Sequence, residues 1–143
     1  MRSFVLDASV AAKWMLPAKD ELLRTEAFRL LDAYEAGEIN LVVPDIFWPE
    51  CGNLLWKAVR QNRCPRADAE LALLLLVRRK IPTLPSSEVL SQALSIAVNF
   101  NRPVYDSLYV ALAAVTKNDL ITADERLANA LAARFPIKWL GAI

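Results

Sequence analysis

The chain contains no histidine. That removes the commonest general base and the usual side-chain ligand of transition metals. Chemistry must therefore run on carboxylates, hydroxyls, lysine, arginine or a hard ion bound through oxygen. Cysteine is scarce too. Cys51 and Cys64 are too few for a disulfide scaffold or a zinc site, which points to a reducing compartment, although one bridge between them stays open. Long apolar runs are missing. The longest, Leu71 to Val77, falls far short of the ~18 residues of a membrane span. Phe4-Val5-Leu6 is likewise too short for the core of a signal peptide. Net charge is only +1, so there is no global basic field, and phosphate binding has to come from a local patch. A soluble cytoplasmic protein is the expectation.

The residues that are present favour a packed core. The 143 residues are 55% hydrophobic and 23% charged, which argues against disorder. One domain over residues 1–143 is the simplest organisation, since no repeat, low-complexity segment or linker divides the sequence. A chain of that length buries about 68–70% of its unfolded surface without staples.

Short apolar runs alternate with helical spacing. Strands are expected over residues 3–6, 39–43, 83–84, 119–121 and 138–140. Helices are expected over 9–15, 21–36, 46–60, 66–79, 86–98, 105–116 and 124–134, with Ser86 capping its helix and Gly37 closing the second. This alternation implies an α/β fold: a three-layer sandwich whose short, mostly parallel central sheet is flanked by helices. The strands are nearly all apolar, as buried central strands are.

Four acids occupy places where apolar residues would be expected. Asp7 directly follows Phe4-Val5-Leu6, and Glu50 interrupts the apolar run from Ile46 to Trp56. Asp106 is the one charge between Val104 and Thr116, and Asp124 follows Leu120-Ile121-Thr122-Ala123. Carboxylates are rarely buried unless they are paired or bind a metal. Ligands of open α/β sheets bind outside the carboxyl ends of the strands, which is where Asp7 and Asp124 fall. Glu50 shares a helix face with Phe47 and Leu54, and Asp106 shares one with Tyr109, Val110 and Ala113. All four acids can therefore meet in one pocket.

Such a meeting is costly. Two unit charges ~4 Å apart repel by about 4 kcal/mol at an effective dielectric near 20. Four clustered carboxylates need a counter-cation, and an all-oxygen site suits Mg²⁺ or Mn²⁺. Metal-assisted phosphodiester hydrolysis is the favoured chemistry. Each acid also has a structural reading. Asp7 suits a helix cap, while Asp124 and Glu50 suit the dipole at the start of a helix. Ser9 and Thr122 flank the site, where their hydroxyls can orient a carboxylate. Asp45 reads as a cap of the following helix, and Asp119 as lying at the far end of its strand. Lys57, Arg60, Arg63 and Arg66 form a candidate phosphate rim, and Trp14, Trp48, Trp56 and Trp139 read as core or contact residues.

The motifs resemble a known family. They are Asp7-Ala8-Ser9 after an apolar strand, Pro49-Glu50 with Asn53-Leu54 behind it, the block from Pro103 through Tyr105-Asp106 to Ala113, and Thr122-Ala123-Asp124. In this order they resemble the PIN domain, and more narrowly the VapC-type ribonuclease toxins of toxin–antitoxin pairs. The resemblance spans essentially the whole chain. It implies a Mg²⁺ or Mn²⁺ site at Asp7, Glu50, Asp106 and Asp124, supported by Ser9 and Thr122. It also implies RNA cleavage, a homodimer and a small antitoxin partner.

Two other readings remain. The acidic pocket can instead dock an arginine or lysine of a partner without turnover. Phosphoryl transfer through an aspartyl-phosphate at Asp7 fits less well. Ser9 stands where such phosphatases carry a second acid, and Thr122-Ala123-Asp124 offers no lysine.

Overall fold

Phe4-Val5-Leu6, Leu41 and Val43, and Leu120-Ile121 are almost wholly buried, and they build a sheet covered on both faces. The computed structural model describes all 143 residues, the Asp20 side chain excepted. Among the described residues, five strands and seven α-helices follow in the order β1 (Arg2–Leu6), α1 (Ala8–Met15), α2 (Arg24–Glu35), β2 (Ile39–Pro44), α3 (Phe47–Arg60), α4 (Arg66–Arg78), β3 (Thr83–Leu84), α5 (Leu90–Phe100), α6 (Val104–Thr116), β4 (Asp119–Thr122), α7 (Glu125–Leu131) and β5 (Ile137–Trp139). Three short 3₁₀ turns complete the secondary structure.

All strand pairs are parallel, in the order β3-β2-β1-β4-β5. The chain winds outward from β1 through β2 to β3, then returns to the other side of β1 with β4 and β5. Helices α1 to α4 pack on one another, while α5 packs on α6 and α6 spans β1, β2 and β4. The result is the three-layer α/β sandwich expected from the alternation of strands and helices. Its strand order reverses between β1 and β4, so a crevice opens beyond their carboxyl ends. In α6, every residue from Ser107 to Ala113 is buried, so this helix is enclosed all round and fixes Asp106 at its first turn.

Several boundaries differ from expectation, for local reasons. Helix α2 starts at Arg24 because Leu23 takes a left-handed conformation, φ 60°. The helix expected over 86–98 is split into a 3₁₀ turn, Ser86–Glu88, and α5. Ser86 does not cap it. Its amide and hydroxyl both donate to Asp45 Oδ1, so Asp45 ties the end of β2 to the β3 loop instead of capping α3. Asp124 stands just outside α7 as its cap, and β5 ends one residue earlier than expected. Cys51 and Cys64 are both free and buried, in separate clusters. Among the described residues, no helix is long and apolar enough to cross a membrane.

Gly37 closes α2 as expected, at φ +75°, and a Cβ there would meet nothing within 4 Å. A side chain at this position therefore costs only backbone strain. Gly37→Ala is expected to lower unfolding free energy by about 1–2 kcal/mol, and Gly37→Asn by less, as measured by urea denaturation.

Candidate active site

Asp7 lies immediately beyond β1. Its amide still donates to Ile121 O across the β1–β4 pair, at 3.1 Å, so its backbone is held by the sheet itself. Its carboxylate turns to two hydroxyls and not to the free amides of α1: Ser9 Oγ donates to Asp7 Oδ2 at 2.6 Å and Thr122 Oγ1 at 2.7 Å. Those hydroxyls are in turn polarised by backbone amides. Ala123 N–H donates to Ser9 Oγ, and Asp124 N–H to Thr122 Oγ1, both at 3.0 Å. Thr122 is fully buried, so its hydroxyl is committed to this relay. Chains of this kind strengthen each bond within them.

Glu50 comes from the first turn of α3. Its Oε1 accepts the Tyr109 hydroxyl at 2.7 Å. Burial, together with Asp7 and Glu50, drives the Tyr109 phenol far above its ordinary range, so it stays protonated and remains a donor. Asp106, at the start of α6, faces Arg102 of the loop before the helix, Oδ2 to Nη2 at 3.7 Å. That separation is long for a charge-assisted bond, and Arg102 Nε is buried without a partner among the described residues. Asp124 divides its role. Oδ1 accepts the amides of Arg126 and Leu127, at 3.0 and 3.2 Å, so Asp124 caps α7 from outside, where the sequence suggested the first residue of the helix favoured by its dipole. The same side chain nevertheless faces the crevice.

Asp7, Glu50, Asp106 and Asp124 line one crevice of about 510 Å³, with Ser9, Asn53, Lys57 and Tyr105 on its walls. All six residues anticipated from sequence converge: four acids on the crevice and two hydroxyls on Asp7. Asp119 lies at the opposite edge, paired with Arg2 and Lys138. Of the expected basic rim only Lys57 lines the crevice. Arg60 stacks on Trp56, Arg63 bonds Gln61, and Arg66 pairs with Glu70. Tyr109 and Arg102 were not singled out from sequence. Tyr109 follows Asp106 by three residues within α6, so helical spacing was the available signal for it, whereas Arg102 precedes Pro103 outside the helix and carried no such signal.

The acids sense one another. Burial raises the Asp7 pKa, the two hydroxyls oppose it, and Asp106 and Asp124 raise it further. Burial also raises Glu50, against the Tyr109 bond, with Asp7 and Asp106 adding to the rise. Asp106 is raised by burial, lowered by Arg102 and raised by Asp124. One guanidinium does not offset this charge. The donor set is all oxygen and anionic, which fits a hard divalent ion. Among the described residues, no three acids approach closely enough to ligate one ion unaided. Mg²⁺, which keeps several waters, needs only one or two carboxylates beside substrate phosphate.

An anionic crevice at the carboxyl edge of a parallel α/β sheet defines the class of protein. The family model of the PIN domain matches residues 4–131, and the chain belongs to that family. Among solved structures it is similar to PAE2754 from Pyrobaculum aerophilum, with TM-score 0.70 and 21% identity, covering 99% of this chain and 85% of that one. It is similar to VapBC2 from Rickettsia felis bound to a DNA fragment from their promoter, with TM-score 0.63 and 9% identity, covering 96% and 98%. A toxin–antitoxin complex from Klebsiella pneumoniae gives TM-score 0.56 and 14% identity, covering 94% of each chain. At such identities the likeness is one of fold. No curated protein matches the sequence.

A raised folded pKa contributes stability below the unfolded value and loses it as pH rises through the folded one. In metal-free buffer near neutral pH, Glu50→Gln should therefore raise the melting temperature, because it removes a charge that burial, and then the neighbouring acids, disfavour, and keeps an acceptor for Tyr109. The gain should shrink as pH falls toward the ordinary glutamate range. A melting temperature for this variant below that of the unmodified protein at every pH would refute mutual repulsion.

Proposed function

We propose that the protein is a metal-dependent endoribonuclease, the toxin of a toxin–antitoxin pair. The observation carrying this reading is the convergence of four acids, from four separate segments, on one crevice where three of them are pushed toward protonation. PIN domain membership supports nuclease chemistry. The Rickettsia and Klebsiella neighbours, named as toxin–antitoxin assemblies, support the pairing with an antitoxin.

Asp7, Glu50, Asp106 and Asp124 are the residues that would hold Mg²⁺ or Mn²⁺. The ion, when bound, supplies positive charge for a phosphoryl oxygen and acidifies water at neutral pH. The chain's own groups do the rest. Ser9 and Thr122 fix the Asp7 carboxylate, and Tyr109 fixes Glu50, so both acids are held before substrate arrives. Asp124 holds one oxygen on the α7 amides. Without histidine, a proton leaving water has the carboxylate oxygens of the crevice as its nearest acceptors.

Exposed apolar positions, Leu71, Leu74 and Leu75 on α4 and Leu90, Leu94 and Val98 on α5, give an antitoxin or a second copy surfaces to cover. The free buried thiols agree with a cytoplasmic setting. A second reading, docking of a partner's basic residue in the crevice, draws support from Arg102, which already brings a guanidinium to Asp106.

Asp106→Asn is expected to lower Mg²⁺-dependent RNA cleavage at least about 10²-fold, in line with loss of one preorganised electrostatic group. The fold should persist by circular dichroism. Mg²⁺ at 100-fold its dissociation constant should stabilise the unmodified protein by about 2.7 kcal/mol, and this variant by much less. Undiminished cleavage by Asp106→Asn would exclude the site. Binding of a basic peptide with no metal-stimulated cleavage would select the docking reading.

A further inference from the structure

The crevice is anionic on its floor and cationic at one place on its lip. Glu50, Asn53, Leu54 and Lys57 recur along one face of α3, and all four line it. Glu50 is half-buried, whereas Asn53 and Lys57 are exposed. Helical rise sets Lys57 about 10 Å outward from Glu50 along the helix axis. Lys57 has no carboxylate partner among the described residues, unlike Lys13, Arg66 and Lys138, which pair with Glu21, Glu70 and Asp119. Asn53 is likewise without a side-chain hydrogen bond among the described residues. On the facing wall stands Tyr105, 61% exposed, immediately before Asp106. Tyr109, one turn further along the same helix, is 1% exposed and spends its hydroxyl on Glu50. Tyr105 therefore leaves an aromatic face beside the acids that packing does not use.

A floor of carboxylates repels a phosphodiester. Attraction that brings a polyanion to this crevice has to come from the lip. Building on the hydrolytic reading of the site, we infer that the α3 lip and Tyr105 form a track for a single strand of RNA: Lys57 and Asn53 take phosphate oxygens beside the cut, and Tyr105 stacks an unpaired base. An ammonium binds phosphate as a point charge, and an amide adds a directed donor. A base-paired nucleotide has no free face to lay on Tyr105, and the backbone of a duplex does not bend into a recess between two helices. Single strands are therefore the preferred form. Next to Lys57 on α3, Trp56 is 54% exposed with Arg60 stacked on its ring, 4.6 Å from the centroid. This composite aromatic–cation surface continues the track outward.

The test measures binding of a short fluorescent oligoribonucleotide by anisotropy in the non-cleaving Asp106→Asn background. The same sequence annealed to its complement serves as the comparison. The single strand should bind more tightly than the duplex. Lys57→Met should weaken binding and lower the slope of log affinity against log salt by about 0.7, the signature of one lost single-strand phosphate contact. A merely structural loss leaves that slope in place. Tyr105→Ala should weaken binding on the order of 5- to 100-fold, while Tyr105→Phe keeps near-full affinity. Equal affinity for duplex and single strand, an unchanged salt slope in Lys57→Met, or no binding at all overturns the inference. The two readings fail separately. Strand binding that depends on Lys57 and Tyr105, in a protein that never cleaves with metal, sinks the hydrolytic reading alone. Metal-dependent cleavage indifferent to both substitutions sinks the track alone.

Discussion

The contact between β1 and β4 is the constraint on which the crevice depends. It is the place where strand order reverses, so the helices leaving the two strands diverge and a recess opens. It also sets the Asp7 amide on Ile121 and brings Ser9 and Thr122 to the Asp7 carboxylate. A buried carboxylate is tolerated only where hydrogen bonds replace lost hydration. Here two hydroxyls do so, each backed by a backbone amide of the segment after β4. If β4 slipped by one residue against β1, Thr122 would point to the opposite face and the Asp7 carboxylate would lose its support. Strand register and site chemistry are thus one constraint.

The sheet, the alternation of layers and the four acids were legible in the sequence because each rests on a local signal. Strands of two to six mostly apolar residues, Gly37 after an amphipathic stretch and an acid directly after an apolar strand need no tertiary information. What was not legible depended on partners distant in sequence. Asp45 looked like a cap of α3 until the β3 loop brought Ser86 to it. The helix expected over 86–98 had continuous helical spacing, yet the Ser86 tie and the turn at Val89 divide it. Tyr109 reads as an ordinary core aromatic, and its bond to Glu50 spans 59 positions. The basic run after α3 suggested one rim, but Arg60, Arg63 and Arg66 each found neighbours of their own.

Asp124 shows that a capping carboxylate can also line a crevice. A carboxylate has two oxygens and about four acceptor positions. Oδ1 of Asp124 takes two amides of α7 and fixes the side chain, while the charge still reaches Asp7 and Asp106 through the crevice. Glu50 repeats the pattern with Tyr109 on Oε1. In each case the structural bond orients the acid, and orientation before binding is what an electrostatic site requires. The dipole reading of an acid at a helix start therefore does not exclude a place on the crevice.

Arg102 indicates how far the chain balances its own charge. A single guanidinium, held 3.7 Å from Asp106, lowers the proton affinity of that acid but does not cancel the effects of burial and Asp124. Its buried Nε lacks a partner among the described residues, so the pair is not the bidentate arrangement that gives arginine its strongest grip. Internal cations matched to all four acids would have left a neutral crevice with nothing to attract. The partial match leaves a net negative floor, open to a divalent ion or to a basic group brought by another protein. Both readings of the site therefore stem from the same physical residue: charge that the fold gathers and does not neutralise. The divalent ion fits better. It spreads two charges over several oxygens through its own waters, whereas a planar guanidinium reaches one carboxylate edge at a time.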